Sequence, residues 1–304
     1  MYDRLHTTIL SMHPETTEIT DIQSYRPGYL PYPARVACQT ASGRSVVYVL
    51  KASAYPDMLA YEALVLRGLT DLHFPVPQVL GGPVTIKDEH EPLTILLLSE
   101  MVGHPLPWVG LKDLAAAQRT CRLVQEAVDA LHALTPRVLE HPVAASVPSI
   151  TLESEAQTIV KRGGPWFEVP IFAEALALVQ TTLPRFTRPL IFSNGDYNPL
   201  NFLVDNDALT GWIDFEHACF EDPYIGFAKF ILWADDDYGW GVGAKAGLVE
   251  RYLYEHQVEP AAFLVRLILR GLRYVQDANP ANPPHYMLQV IADAVHRVTQ
   301  VVNS

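Results

Sequence analysis

The sequence predicts an α+β protein of two lobes, a small β-rich N-terminal lobe and a larger, mainly helical C-terminal lobe. Three observations predict it. Short β-branched and apolar runs crowd the first hundred residues. Gly103, Pro105 and Pro107 then break the chain. Beyond them, apolar residues recur at helical spacing. The boundary falls at Val102, giving lobes of residues 1–102 and 103–304.

Taken in order, Glu18 to Ser24 reads as a strand ending at the turn Arg26-Pro27-Gly28. Ala34 to Thr40 reads as a second, closed by Ala41-Ser42-Gly43-Arg44, and Ser45 to Ala52 as a third. The short Gly-containing loop joining the last two suggests a hairpin. A helix follows, with Asp57 as N-cap, Leu59, Ala63, Leu64 and Leu66 on its apolar face and Gly68 as its end. Phe74-Pro75-Val76-Pro77 is extended, because residues before proline avoid the helical region. Leu93 to Glu100 is a nearly continuous apolar run and reads as a central strand. After the break, Asp113 to Leu134 combines strong helix formers with helical apolar spacing, and Pro136 ends it. Glu168 to Leu183 reads as another helix, Pro189 to Asp214 as short strands, and Pro223 onward as helices again.

Composition removes several classes. With 49% hydrophobic residues the chain can bury enough surface to offset its ordering entropy, so it is not disordered. A net charge of −12 gives no support to nucleic acid as a partner and would attract a cationic small molecule. No run reaches the length of a membrane span, and the first residues do not form a signal peptide. The three cysteines, Cys38, Cys121 and Cys219, are odd in number and far apart, which suits a reducing compartment; the cytoplasm is the expected location.

Chemistry concentrates between Leu190 and Asp222. Asp196 and Asn201 lie five apart in a loop broken by Gly195 and Pro199, and Asp214 follows thirteen residues after Asn201. Asn201 to Val204 and Gly211 to Phe215 are strand-like, and a hairpin of this length can bring Asn201 and Asp214 to one rim. The trio offers a base and two oxygen ligands, a set that suits Mg²⁺.

The order Asn194-Gly195-Asp196-Tyr197-Asn198-Pro199-Leu200-Asn201, then Ile213-Asp214-Phe215-Glu216, resembles the aminoglycoside phosphotransferase and choline kinase family. Members are small-molecule kinases with a protein-kinase-like fold, and their pattern is H-G-D-x-x-x-x-N followed by I-D-W or I-D-F. The resemblance runs from about Val46 to about Trp233. It implies Asp196 as the catalytic residue that orients the acceptor hydroxyl and takes its proton, and Asn201 and Asp214 as metal ligands. Lys51, ending the strand Val46-Val47-Tyr48-Val49-Leu50, resembles the kinase lysine that reaches the nucleotide phosphates. Glu62, on the next helix, would pair with Lys51. In Leu98-Ser99-Glu100-Met101-Val102-Gly103 the Glu100 carbonyl and the Val102 N–H would meet the adenine edge. The implied activity is transfer of the γ-phosphoryl group of ATP or GTP to a hydroxyl of a small acceptor, with Mg²⁺ as cofactor.

Three departures stand against the family pattern. Asn194 replaces the usual histidine, though Asn can also donate the hydrogen bonds that hold the loop. Arg26 to Pro33, with one glycine and three prolines, stands where a glycine-rich phosphate loop would be. Gly226 replaces the second Asp of D-P-x-x-D-L-A in Asp222-Pro223-Tyr224-Ile225-Gly226-Phe227-Ala228. The first two motivate the alternative of a catalytically weak or inactive nucleotide-binding protein of the same fold. The presence of Lys51, Asp196, Asn201 and Asp214 together favours the kinase.

Plainer roles compete at single positions. Lys51 can blunt a strand edge, Glu62 can be a solvated helix residue, and Glu216 and His217 are as readily structural as near a metal. His132 reads as a structural helix-end histidine, and Trp166, Trp233 and Trp240 as core or pocket walls. Asp235-Asp236-Asp237, beside Trp233, Tyr238 and Trp240, can either receive a cationic acceptor such as an aminoglycoside or choline, or form a solvated acidic loop.

Overall fold

The computed structural model describes residues 2–25, 33–86, 92–107, 113–235 and 241–302. It is a mixed α/β protein, β-rich in the N-terminal part of the chain and mainly helical in the C-terminal part, whose residues gather into two compact units that each draw on separated parts of the chain.

The first unit comprises Met1–Pro105, Pro136–Val147 and Asn201–Ala218. It opens with helix α1 (Tyr2–Met12), ahead of the first strand read from the sequence; Leu5 and Ile9 stand one turn apart on a single face. Strands β1 (Thr16–Ser24), β2 (Ala34–Thr40) and β3 (Ser45–Ser53) follow, close to their expected limits. Helix α2 (Pro56–Asp71), β4 (Val79–Ile86) and β5 (Leu93–Ser99) complete an antiparallel sheet ordered β1-β2-β3-β5-β4. Leu5 and Ile9 of α1 pack with Ala34, Val36, Cys38, Tyr48, Leu50, Ile95 and Leu97, so one face of the sheet is sealed by the N-terminal helix.

Two expectations for α2 need correction. Its N-cap is Tyr55, with Pro56 in the first turn and Asp57 one position further, where a carboxylate still faces the positive helix end. Gly68 does not stop the helix. It sits inside, and a Cβ there would stand 2.7 Å from Val143 Cβ, so the glycine serves close packing rather than termination.

The first unit also holds a second hairpin, Phe202–Asp205 with Ala208–Trp212, flanked by the short strand His104–Pro105. Gly103, at φ 109°, enters that strand where a Cβ would meet the Val204 carbonyl at 2.7 Å; only glycine fits.

The second unit comprises Leu106–Thr135, Pro148–Leu200 and Cys219–Ser304. Helix α3 (Leu114–Ala133) begins at Asp113, whose carboxylate accepts from the Ala116 N–H at 2.7 Å. Helices Leu152–Arg162, Pro170–Thr182, Pro260–Asp277 and His285–Val302 form its bulk, with Pro260–Asp277 buried on most of its surface. A small antiparallel pair, Ile191–Ser193 with Cys219–Glu221, carries the loop that contains Asp196. All three cysteines are free and buried. No described helix is long and apolar enough to cross a membrane.

Candidate active site

Strand alternation sets Lys51. Tyr48 and Leu50 point into the core under α1, so Lys51 projects from the opposite face of the sheet. Its ammonium donates to both oxygens of Glu62, at 2.9 and 2.7 Å, and to Asp214 Oδ1 at 2.9 Å. Glu216 Oε2 stands 3.7 Å away. Glu62, on α2, is fully buried and also accepts the Phe215 N–H at 3.3 Å, so it is not the solvated residue that helix position alone allows.

Backbone pairing in the second hairpin sets Asp214. Phe202 pairs with Trp212, and the Ile213 N–H donates to the Asn201 carbonyl at 2.9 Å. Asn201, buried, and Asp214 therefore sit at the same end of the hairpin. Asp214 has φ 66°, a left-handed conformation that costs a non-glycine residue on the order of 1 kcal/mol. The buried ring of Phe215 and its N–H bond to Glu62 hold that conformation in place.

Three carboxylates thus face one ammonium. Burial alone would depress the Lys51 pKa, but Glu62 and Asp214 more than offset this and raise it, so the ammonium stays charged. Burial pushes the Glu62 carboxyl up, against the pull of Lys51. The carboxylate oxygens of Glu62, Asp214 and Glu216 lie within 4.8 Å of one another. An all-oxygen set with negative charge in excess fits a hard divalent cation such as Mg²⁺, with Asp214 and Glu216 less engaged by Lys51 than Glu62 is.

At the end of β5, Glu100 is tied through its side chain to Arg35 Nε at 3.2 Å. Val102 is exposed, and its carbonyl accepts from Thr210 Oγ1 at 2.7 Å. Among the described residues, no backbone group takes up the Glu100 carbonyl or the Val102 N–H.

The second unit sets Asp196. Asn194 is fully buried; its Nδ2 donates to the Asp196 carbonyl at 2.9 Å and its Oδ1 accepts the Asp196 N–H at 3.3 Å. Asn194 therefore supplies the loop-holding bonds expected of the histidine it replaces. The Gly195 N–H donates to Ser193 Oγ at 2.9 Å, and Gly195 turns the chain at φ 77°. Tyr197 is buried with its hydroxyl 2.9 Å from His132 Nε2 on α3. Asp196 itself forms an ion pair with Lys229, from the short helix Lys229–Leu232.

The structure also accounts for Gly226. A Cβ there would stand 2.5 Å from the Tyr197 ring, so the aromatic fills the space that a side chain at 226 would need. Asp222, fully buried, accepts from Arg266 Nε at 2.6 Å and Nη2 at 2.5 Å.

His132 plays the structural part expected of it. Burial pushes its pKa down to about 3, and the neutral ring bridges Tyr197 and Tyr252. Trp166 is core, whereas Trp233 is partly exposed against Tyr274. Arg26 to Tyr32 and Asp236 to Trp240 lie outside the described residues. Sequence reasoning missed Lys229, Arg266 and Tyr197. Arg266 falls on a helix face indistinguishable from solvated ones until its partner Asp222 is placed.

A model of the phosphotransferase enzyme family matches residues 32–263. A search of curated proteins found no sequence match. Among solved structures, aminoglycoside phosphotransferase APH(4)-Ia is similar at TM-score 0.65 and 16% identity, covering 100% of this chain and 99% of that one. A thermostable mutant of the same enzyme, in ternary complex with ADP and hygromycin B, is similar at TM-score 0.63 and 16% identity over 98% of each chain. The GDP and kanamycin complex of APH(2")-IIia is similar at TM-score 0.54 and 18% identity over 97% of each. At these identities the likeness is one of fold.

Proposed function

We propose that this chain, which belongs to the phosphotransferase enzyme family, transfers the γ-phosphoryl group of ATP or GTP to a hydroxyl of a small acceptor. The observation that carries this reading is the Lys51 cluster, a strand lysine held by a buried helix glutamate and facing a strained aspartate. Phosphoryl transfer asks for positioning and charge neutralisation rather than covalent help, and this cluster offers both.

Each residue takes a part its geometry allows. Lys51, fixed by Glu62, binds nucleotide phosphate oxygens. Asp214 and Asn201 would hold Mg²⁺, with Glu216 beside them; bound there, the ion would neutralise phosphate charge. The Glu100 carbonyl and the Val102 N–H bind the base edge. Asp196, held by Asn194 and Lys229, orients the acceptor hydroxyl and takes its proton. The ligands of the similar structures, ADP with hygromycin B and GDP with kanamycin, support a nucleotide donor and an amino-sugar acceptor. The net charge of −12 favours a cationic acceptor in the same direction.

The test is transfer of labelled phosphate from ATP and GTP to a panel of aminoglycosides and choline-like amines. Asp196→Ala is expected to lower transfer by about 10²-fold or more while nucleotide binding persists. A near wild-type rate in that variant removes Asp196 from the proton-accepting role.

A further inference from the structure

We propose that Lys229 is a positioning residue for phosphoryl transfer, fixing the Asp196 carboxylate and offsetting its charge as an anionic phosphoryl group approaches; the proposal rests on the kinase reading above. The ion pair between Lys229 Nζ and Asp196 Oδ1 is only partly open to water, at 14% and 31% side-chain exposure. A pair so shielded holds its geometry better than a surface pair, because less of its attraction is lost to solvent.

The segment that carries Lys229 is built onto the loop that carries Asp196. Its root is Asp222, anchored by Nε and Nη2 of the fully buried Arg266. Four residues on, Gly226 makes room for the ring of Tyr197, the neighbour of Asp196. Phe227 then meets that ring edge-on at 5.5 Å. Two residues later the chain delivers Lys229 to the carboxylate. The departure at Gly226 and the presence of Lys229 are therefore parts of one arrangement.

Lys229 is the first lysine or arginine to follow Asp196 in the chain. From Pro189 to Ala228 the chain holds no lysine and no arginine. A bare carboxylate beside a transferring phosphoryl group would repel it, since both are anionic. In the step itself the acceptor's O–H proton passes to Asp196 as the new O–P bond forms. The bond from the γ-phosphorus to the bridging oxygen breaks, and its electron pair leaves on the nucleoside diphosphate. Lys229 keeps its proton throughout and acts only through Asp196.

The experiment compares the full chain with Lys229→Met, Lys229→Arg, Asp196→Asn and Asp196→Asn/Lys229→Met. Initial rates are measured with Mg²⁺ and ATP or GTP, using water, hygromycin B and kanamycin as acceptors. Lys229→Met is expected to lower kcat about tenfold to hundredfold while the nucleotide KM stays within about twofold. Lys229→Arg is expected to recover most of the rate. In the Asp196→Asn background, loss of Lys229 is expected to cost less than about twofold. Lys229→Gln replaces Lys229→Met if the latter melts below the assay temperature. A Lys229→Met rate equal to or above wild type overturns the proposal, as does an equal loss in both backgrounds. Absence of turnover by the wild type with every acceptor overturns it together with the kinase reading, whereas an active wild type with an unimpaired Lys229→Met variant overturns it alone.

Discussion

Lys51 and Glu62 show how much one buried charge depends on its partner. Lys51→Met leaves Glu62 without its cation, a change of the kind that costs about 3 kcal/mol. Burial already raises the Glu62 pKa, and removing Lys51 removes the main opposing pull. The folded variant then binds a proton more readily than the unfolded chain, so its stability falls as pH rises. Denaturant unfolding at pH 5 and pH 8 is therefore expected to show a larger loss for Lys51→Met at pH 8; equal losses would count against a buried, unpaired carboxylate. His132 has the opposite sign. Its pKa is held down to about 3, below the ordinary 6.5, so its contribution is present above 6.5 and is lost as pH falls from there towards 3. His132→Gln keeps a hydrogen-bonding group without the titration, and its stability is expected to vary less over that window than the wild type's. At this scale the spacing of Asp196, Asn201 and Asp214 can be read from the sequence and Lys51 from the family resemblance, and the structure sets Lys51 against Glu62 and Asp214. Lys229 was not legible, because its significance comes from a segment folding back onto the Asp196 loop.

At the scale of elements, the joint between strand Cys219–Glu221 and helix Pro260–Asp277 is a buried charge pair, Asp222 with Arg266. Arg266→Met strands Asp222 in the interior and is expected to cost about 3–5 kcal/mol in urea unfolding. Gly226→Ala drives a methyl group against the Tyr197 ring and is expected to cost about 1–3 kcal/mol. A melting temperature unchanged in the second variant would mean that the ring moves aside freely. The strands β2 and β3 and helix α3 were readable to within a residue or so, since alternation and helical spacing are strong in them. Helix α1 was not, because its single apolar face is short, and Gly68 misled because a glycine selected for contact with Val143 looks like one selected to end a helix.

At the scale of the whole molecule, the order of strands first and helices afterwards follows from composition along the chain. The membership of the two compact units does not, because Pro136–Val147 and Asn201–Ala218 join the first unit through contacts with residues far away in sequence. That interleaving is what sets Asp214 against a lysine 163 positions earlier in the chain. On the reading proposed above, this cluster receives the phosphates of a nucleotide with its metal ion. Calorimetric titration of AMP-PNP into the wild type and Asp214→Asn, with and without Mg²⁺, tests it most directly. Mg²⁺-dependent binding is expected in the wild type, with a loss of about tenfold or more in the variant, a change of about 1.4 kcal/mol or more. Equal affinity in the two proteins, with the same response to Mg²⁺, would contradict it.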